Sequence, residues 1–206
     1  VLYWIFPFRT DFLPWLNQLL DVDLLKHDLW QSLWQLHVTP PLYNIYVGLL
    51  LKLPDAMLPY AFQAFHFLLG LGMVAMTYAI LMHLGVGTRA AFIGGLVFIL
   101  NPILFRFEII PFYTYPLAFL LVLSVFALVR FLETKKRVWM VTFLLVPLVI
   151  LLTRNFFHII FYYLPVAGGF SYLVYKTERP LFKLALVVSV VFFIIGLAPS
   201  IKNEMQ

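Results

Sequence analysis

The residues best suited to acid–base and ionic chemistry are few and gathered in short sets. Arg9 to Asn44 is the one polar stretch of any size. It holds four of the nine carboxylates, Asp11, Asp21, Asp23 and Asp28, and ends in His37-Val38-Thr39-Pro40-Pro41-Leu42-Tyr43-Asn44. Three further sets border apolar runs: Arg106 with Glu108, Arg154 with Asn155 and His158, and Lys202 with Asn203 and Glu204. An aspartate can act as general base on a hydroxyl. Arginine or lysine can hold a phosphate. Tyrosine and tryptophan can stack on a sugar or anchor a membrane interface.

Plainer roles compete for the same residues. Asp21 and Asp23 read most simply as solvated loop carboxylates, and Asp28, before Leu29-Trp30, as a helix N-cap. His37 before Thr-Pro-Pro reads as a loop hydrogen-bonder, and Arg154 equally as an interface anchor. His66, one turn from Phe62 and Gly70, reads as a packed, hydrogen-bonded histidine. No HxxxH or HExxH spacing exists, which argues against a protein-built zinc site.

The elements that carry these residues must be lipid-soluble. The chain is 64% hydrophobic and 11% charged, with a mean hydropathy of +0.98. Soluble domains carry roughly 25% charged residues, so the composition reads as an integral membrane protein. With no cysteine there is neither a disulfide framework nor a thiolate site. The net charge of +5 sits in short basic clusters between apolar runs, a topology pattern rather than a nucleic-acid footprint. Charge-free runs at 56–88, 90–105, 109–129, 138–153, 155–175 and 184–201 predict about six crossings after an acidic loop and interfacial helix at 9–55. Pro147 and Pro165 should kink their spans. Gly70/Gly72, Gly94/Gly95 and Gly168/Gly169 should permit close helix contact. Leu42 to Leu53 is too short to cross and reads as interfacial or re-entrant. The run Val1 to Phe8 reads as the tail of a span, and the whole as one transmembrane domain, 1–206, belonging to a larger protein.

Six crossings sort the charges. One side receives Arg89, Arg130, Lys135, Lys136, Arg137, Lys176, Arg179 and Lys183 against Glu133 and Glu178, a net of +6. The other receives Arg9, Lys26, Lys52, Arg106, Arg154 and Lys202 against Asp11, Asp21, Asp23, Asp28, Asp55, Glu108 and Glu204, a net of −1. The basic side is expected to be cytoplasmic, with the acidic loop facing outside, the periplasm or a secretory lumen. All the sets named above then meet at one membrane face, a setting suited to an amphiphile with a charged head.

The order of a span, an outward loop opening with Asp11, about thirty residues, then Pro40-Pro41-Leu42-Tyr43 and a short apolar helix resembles the GT-C superfamily of polytopic glycosyltransferases. The branch it is similar to holds protein O-mannosyltransferases and the bacterial aminoarabinose transferase. The resemblance implies an all-α, polytopic helix bundle, in the bacterial inner membrane or the endoplasmic reticulum. It implies a polyprenyl-phosphate-linked sugar as donor and an outward or lumenal active face. Asp11 matches the catalytic aspartate and Glu108 the second acidic position. Arg154, His158 and Lys202 would bind the donor phosphate, and His37, Pro40, Pro41 and Tyr43 would form the substrate loop. A divalent cation is left open as cofactor, and other membrane subunits as partners; nucleic acid is not expected. Phe12 stands where the family pairs a Glu with the Asp, and Thr39 where the aminoarabinose enzymes have Lys. A non-catalytic subunit on the same scaffold is the alternative. A transporter, which would call for ionisable residues inside spans or a broken helix at mid-membrane, is weaker, since only histidines lie inside the charge-free runs.

Overall fold

The computed structural model describes residues 8–16, 19–34, 41–154 and 162–204. All regular structure among them is helical: a 3-10 helix Thr10–Trp15, then α1 (Val22–His27), α2 (Leu29–Trp34), α3 (Pro41–Leu50), α4 (Leu58–His83), α5 (Thr88–Ile99), α6 (Pro102–Glu108), α7 (Thr114–Thr134), α8 (Arg137–Thr153), α9 (Tyr163–Thr177) and α10 (Arg179–Glu204).

Three described helices are long and apolar enough to cross a membrane: α4, α7 and, over Arg179–Gly196, α10. A fourth crossing arises if α5 and α6, bent by 60° at their junction, count as one span. This is consistent with a membrane protein. The bend has a local cause. Pro102 cannot donate to α5 and instead opens α6, while the Asn101 side chain caps the new helix by accepting from the Ile103 amide at 2.9 Å. The run 138–153 falls on the 17-residue α8. Of the run 155–175, residues 155–161 lie outside the described residues, and the remainder is α9.

Two prolines and three glycine pairs behave unequally. Pro147 lies inside α8. Pro165 instead occupies the first turn of α9, where its missing N–H has no intrahelical partner to lose, so the expected mid-span kink is not imposed there. A Cβ at Gly72 would press on Phe119, and one at Gly95 would meet the backbone of Val74, so these glycines do seat α4 against α7 and α5. Gly168 and Gly169 face open space instead.

Two apolar cores result. One lies under the acidic loop and joins Phe8, Leu25, Leu29, Tyr43, Val47, Phe62, Tyr113 and Ile150. The other lies among α7–α10 and includes Phe131, Met140, Leu144, Phe170 and Val174. At the far end from the acidic loop, Arg130 of α7 donates to Glu133 at 2.7 Å and lies 3.4 Å from His83 of α4. The carboxyl ends of α4 and α7 therefore meet.

Candidate functional site

The acidic loop is a set of short helices with individually anchored ends. Asp21 caps α1, its carboxylate accepting from the amides of Asp23 and Leu24. Asp28 takes the joint between α1 and α2, its amide donating to Leu24 O and its carbonyl accepting from Ser32 N. The side-chain cap thus falls to Asp21, one of the two carboxylates read as merely solvated.

At 10 residues, α3 spans about 15 Å, half of a ~30 Å hydrocarbon core. It does not cross. Both its ends are fastened to the acidic loop. Buried Asn44 accepts from the Leu20 amide at 2.8 Å. Beyond its carboxyl end, Lys52 donates to the Lys26 carbonyl and Asp55 pairs with Lys26 at 2.7 Å. Gly48 lies where a Cβ would overlap the Leu29 side chain, so α3 seats directly on α2.

The segment Ile109–Tyr113, between α6 and α7, is the meeting point of the site. The Arg9 amide donates to Ile109 O at 2.9 Å. Tyr43, fully buried, donates its hydroxyl to Pro111 O at 2.6 Å. Its ring meets that of Tyr113 edge-on at 5.6 Å. The Arg154 guanidinium, at the end of α8, lies over the same Tyr113 ring at 4.8 Å. Burial pushes the Tyr43 hydroxyl well above the usual tyrosine range. The hydroxyl donates to a carbonyl, which only accepts, so its proton points at Pro111 O.

Glu108 closes α6 and is buried. Its carbonyl is held by His66 Nδ1 at 2.8 Å, while His66 Nε2 lies 3.1 Å from the Tyr46 hydroxyl. A carbonyl only accepts, so Nδ1 carries the proton; in the neutral imidazole Nε2 is then the acceptor and Tyr46 donates. This fixes the tautomer and ties α3, α4 and α6 together. Phe8 stacks on Phe62 at 5.2 Å and meets His66 edge-on at 5.1 Å, which seats the start of the acidic loop on the same histidine. His66 is thus the packed, hydrogen-bonded residue that its spacing from Phe62 and Gly70 suggests.

Asp11 lies in the 3-10 helix and is exposed. Both its oxygens are engaged by Arg9, from Nε at 3.1 Å and Nη2 at 2.6 Å. These hydrogen bonds hold the Asp11 carboxyl below the usual carboxylate range. Phe12 has a role here: the Arg9 guanidinium lies over its ring at 4.5 Å. Where a Glu is expected, an aromatic ring instead props the arginine that clamps the aspartate.

Of the residues singled out by sequence, Tyr43, Glu108 and Arg154 therefore gather at or beside one segment. Asp11 is linked to it through the backbone of Arg9. Pro41 is the first residue of α3. His37, Pro40 and His158 lie outside the described residues. Lys202 belongs to the last turns of α10, and its side chain is likewise outside them. Among the described residues no three His, Cys, Asp or Glu side chains gather as a metal site. Sequence reasoning missed Tyr113, Tyr46 and the Pro111 carbonyl. The signal for Tyr113 was an aromatic pair, Phe112-Tyr113, directly after Pro111 in a loop already marked by Glu108. No protein-family model, no curated protein and no solved structure matches the chain.

Proposed function

We propose that the chain belongs to a GT-C-type membrane glycosyltransferase that uses a polyprenyl-phosphate sugar at the outer or lumenal face of its membrane. One observation carries this reading: the loop bearing Asp11, the proline-motif helix bearing Tyr43, and Arg154 all converge on Ile109–Tyr113. Asp11 takes the proton of an acceptor nucleophile. The nucleophile attacks the anomeric carbon with inversion, and the polyprenyl phosphate leaves. Arg154, with Lys202 and His158 in the same role, stabilises the charge that builds on the leaving phosphate. Glu108, held beside the His66 lock, supports the acidic end of the site.

Asp11 can serve as base only once Arg9 releases it, because a carboxylate with both oxygens engaged is a poor proton acceptor. The pair is exposed and screened by solvent, so an arriving acceptor or phosphate can separate it. The test is Asp11→Asn in the complete protein, assayed for transfer from a polyprenyl-phosphate sugar. The expected loss is about 10²–10⁴-fold, the usual yield of a positioned general base; full activity refutes the assignment.

The Arg9 clamp also favours a second reading, a non-catalytic subunit on a similar scaffold in which Asp11 is a structural ion pair. A wild-type protein that binds no polyprenyl-phosphate sugar, and assembles with membrane partners through this face, supports that reading instead.

A further inference from the structure

The packing between α9 and α10 leaves an open groove of about 510 Å³ on the outer surface of the bundle. Its cause is local. Ala167, Gly168 and Ser171 on α9 face Ser189 on α10 with little side-chain volume, while Tyr163, Tyr175, Phe182 and Phe193 wall the trough. Two of its polar groups are satisfied, Ser189 donating to Ala185 O at 2.8 Å and lying 3.4 Å from the Ser171 hydroxyl, while the buried Tyr163 hydroxyl at one end has no hydrogen-bond partner among the described residues. What remains facing outward is almost wholly apolar. Gly168 and Gly169, expected to be packed against another helix, have nothing within 4 Å of a Cβ.

The groove has a polarity. Lys176 holds its ammonium over the ring of Tyr172 at 5.6 Å, and Arg179 its guanidinium over Tyr175 at 5.5 Å. Both tyrosines line the groove. Two cations are thus stacked on its rim at the end away from the acidic loop. With Lys183 nearby and Glu178 as the opposing charge, that end has a net of +2. From Tyr163 to Tyr175 the groove runs about 18 Å along α9. One leaflet of hydrocarbon is about 15 Å deep, half of the full core. An apolar trough one leaflet deep, with paired cations at its mouth, matches an acyl chain below an anionic headgroup.

We propose that the α9–α10 groove is a binding site for one anionic phospholipid, its acyl chain lying over Gly168 and its phosphate held by Lys176 and Arg179. This site is separate from the one around Ile109–Tyr113 and does not depend on the glycosyltransferase reading. It belongs to the leaflet at the basic end of the bundle, whereas a lipid-linked sugar donor would present its phosphate at the Arg154 end.

The test is native mass spectrometry of the full chain, titrated in parallel with dioleoyl phosphatidylglycerol and dioleoyl phosphatidylcholine. Retention of one phosphatidylglycerol in preference to phosphatidylcholine is expected. Lys176→Gln and Arg179→Gln should each weaken it about fivefold, the contribution of one basic residue at an anionic surface. Gly168→Leu should abolish retention by filling the trough. That variant meets open space and improves helix propensity, so loss of folding is not the expected explanation for a null result, and circular dichroism checks it. Equal retention of the two lipids overturns the proposal, as does unchanged retention in Gly168→Leu. Displacement of phosphatidylglycerol by a polyprenyl phosphate assigns the groove to a donor chain and overturns it as well. A lipid-free dimer broken by Gly168→Leu assigns it to a second copy, with the same consequence.

Discussion

Replacing His66 probes the lock that holds the candidate site together. The imidazole is fully buried and makes two hydrogen bonds, to Glu108 O at 2.8 Å and with the Tyr46 hydroxyl at 3.1 Å. His66→Ala removes one hydrogen-bond partner from the Glu108 carbonyl and one from the Tyr46 hydroxyl. A buried polar group that loses its partner costs about 1–3 kcal/mol. Interhelical hydrogen bonds within membranes average only about 0.6 kcal/mol, because the unfolded chain in lipid also finds partners. The larger scale should prevail here, because both hydrogen bonds end on one fully buried imidazole held between α3, α4 and α6. The ring also packs against Phe8 and Tyr115, with centroids at 5.1 and 5.2 Å, so its removal adds a cavity. The expected total is about 3 kcal/mol. His66→Asn keeps a donor near the Nδ1 position and should cost about half as much. A double-mutant cycle with Tyr46→Phe should give a coupling of about 1 kcal/mol. Reversible unfolding of the full chain in mixed micelles reads all three quantities. Nitrogen-15 NMR should show the proton on Nδ1 and none on Nε2. A coupling near zero, or the opposite tautomer, refutes the lock.

Two other outcomes follow from the same geometry. Arg9→Gln should raise the titration of Asp11. The carboxyl is held low chiefly by the Arg9 hydrogen bonds, so the pair is intact above the ordinary carboxylate pKa and is lost as pH falls through the lowered value. Without Arg9 the midpoint should move up toward about 3.9, followed by carbon-13 NMR of the Asp11 carboxyl; an unmoved midpoint contradicts the clamp. Gly48→Val should destabilise by about 1–3 kcal/mol through overlap with Leu29. Combined with Leu29→Ala, which leaves a void at the same contact, it should cost less than the two single changes together, and strictly additive unfolding energies would show that the helices do not meet there.

Composition and the long charge-free runs together pointed to helices in lipid, and among the described residues the regular structure is helical, with three helices long and apolar enough to cross. With 11% charged residues no aqueous coat is available, and long charge-free runs can satisfy their backbone in lipid only as helices. The brevity of Leu42–Leu53 likewise predicted a helix too short to cross by itself, and the 10 residues of α3 have that length. The burial of His66 was legible because Phe62, His66, Gly70 and Met73 recur at helical spacing on one face of α4.

Only the tertiary structure decided which groups meet. The four carboxylates of the acidic loop look alike in sequence. Asp21 became a cap, Asp28 a helix joint and Asp11 an arginine-clamped pair because of backbone directions set by packing. Tyr113 acquired its place between Tyr43 and Arg154 through contacts 70 and 41 residues apart in the chain, which no local pattern encodes. Gly168 shows the same division: sequence specified a position without a side chain, and the helix arrangement left it open in a groove. Spacing along one helix fixes which residues share a face. What that face meets depends on long-range contacts, whose partners are chosen by the fit of whole helices.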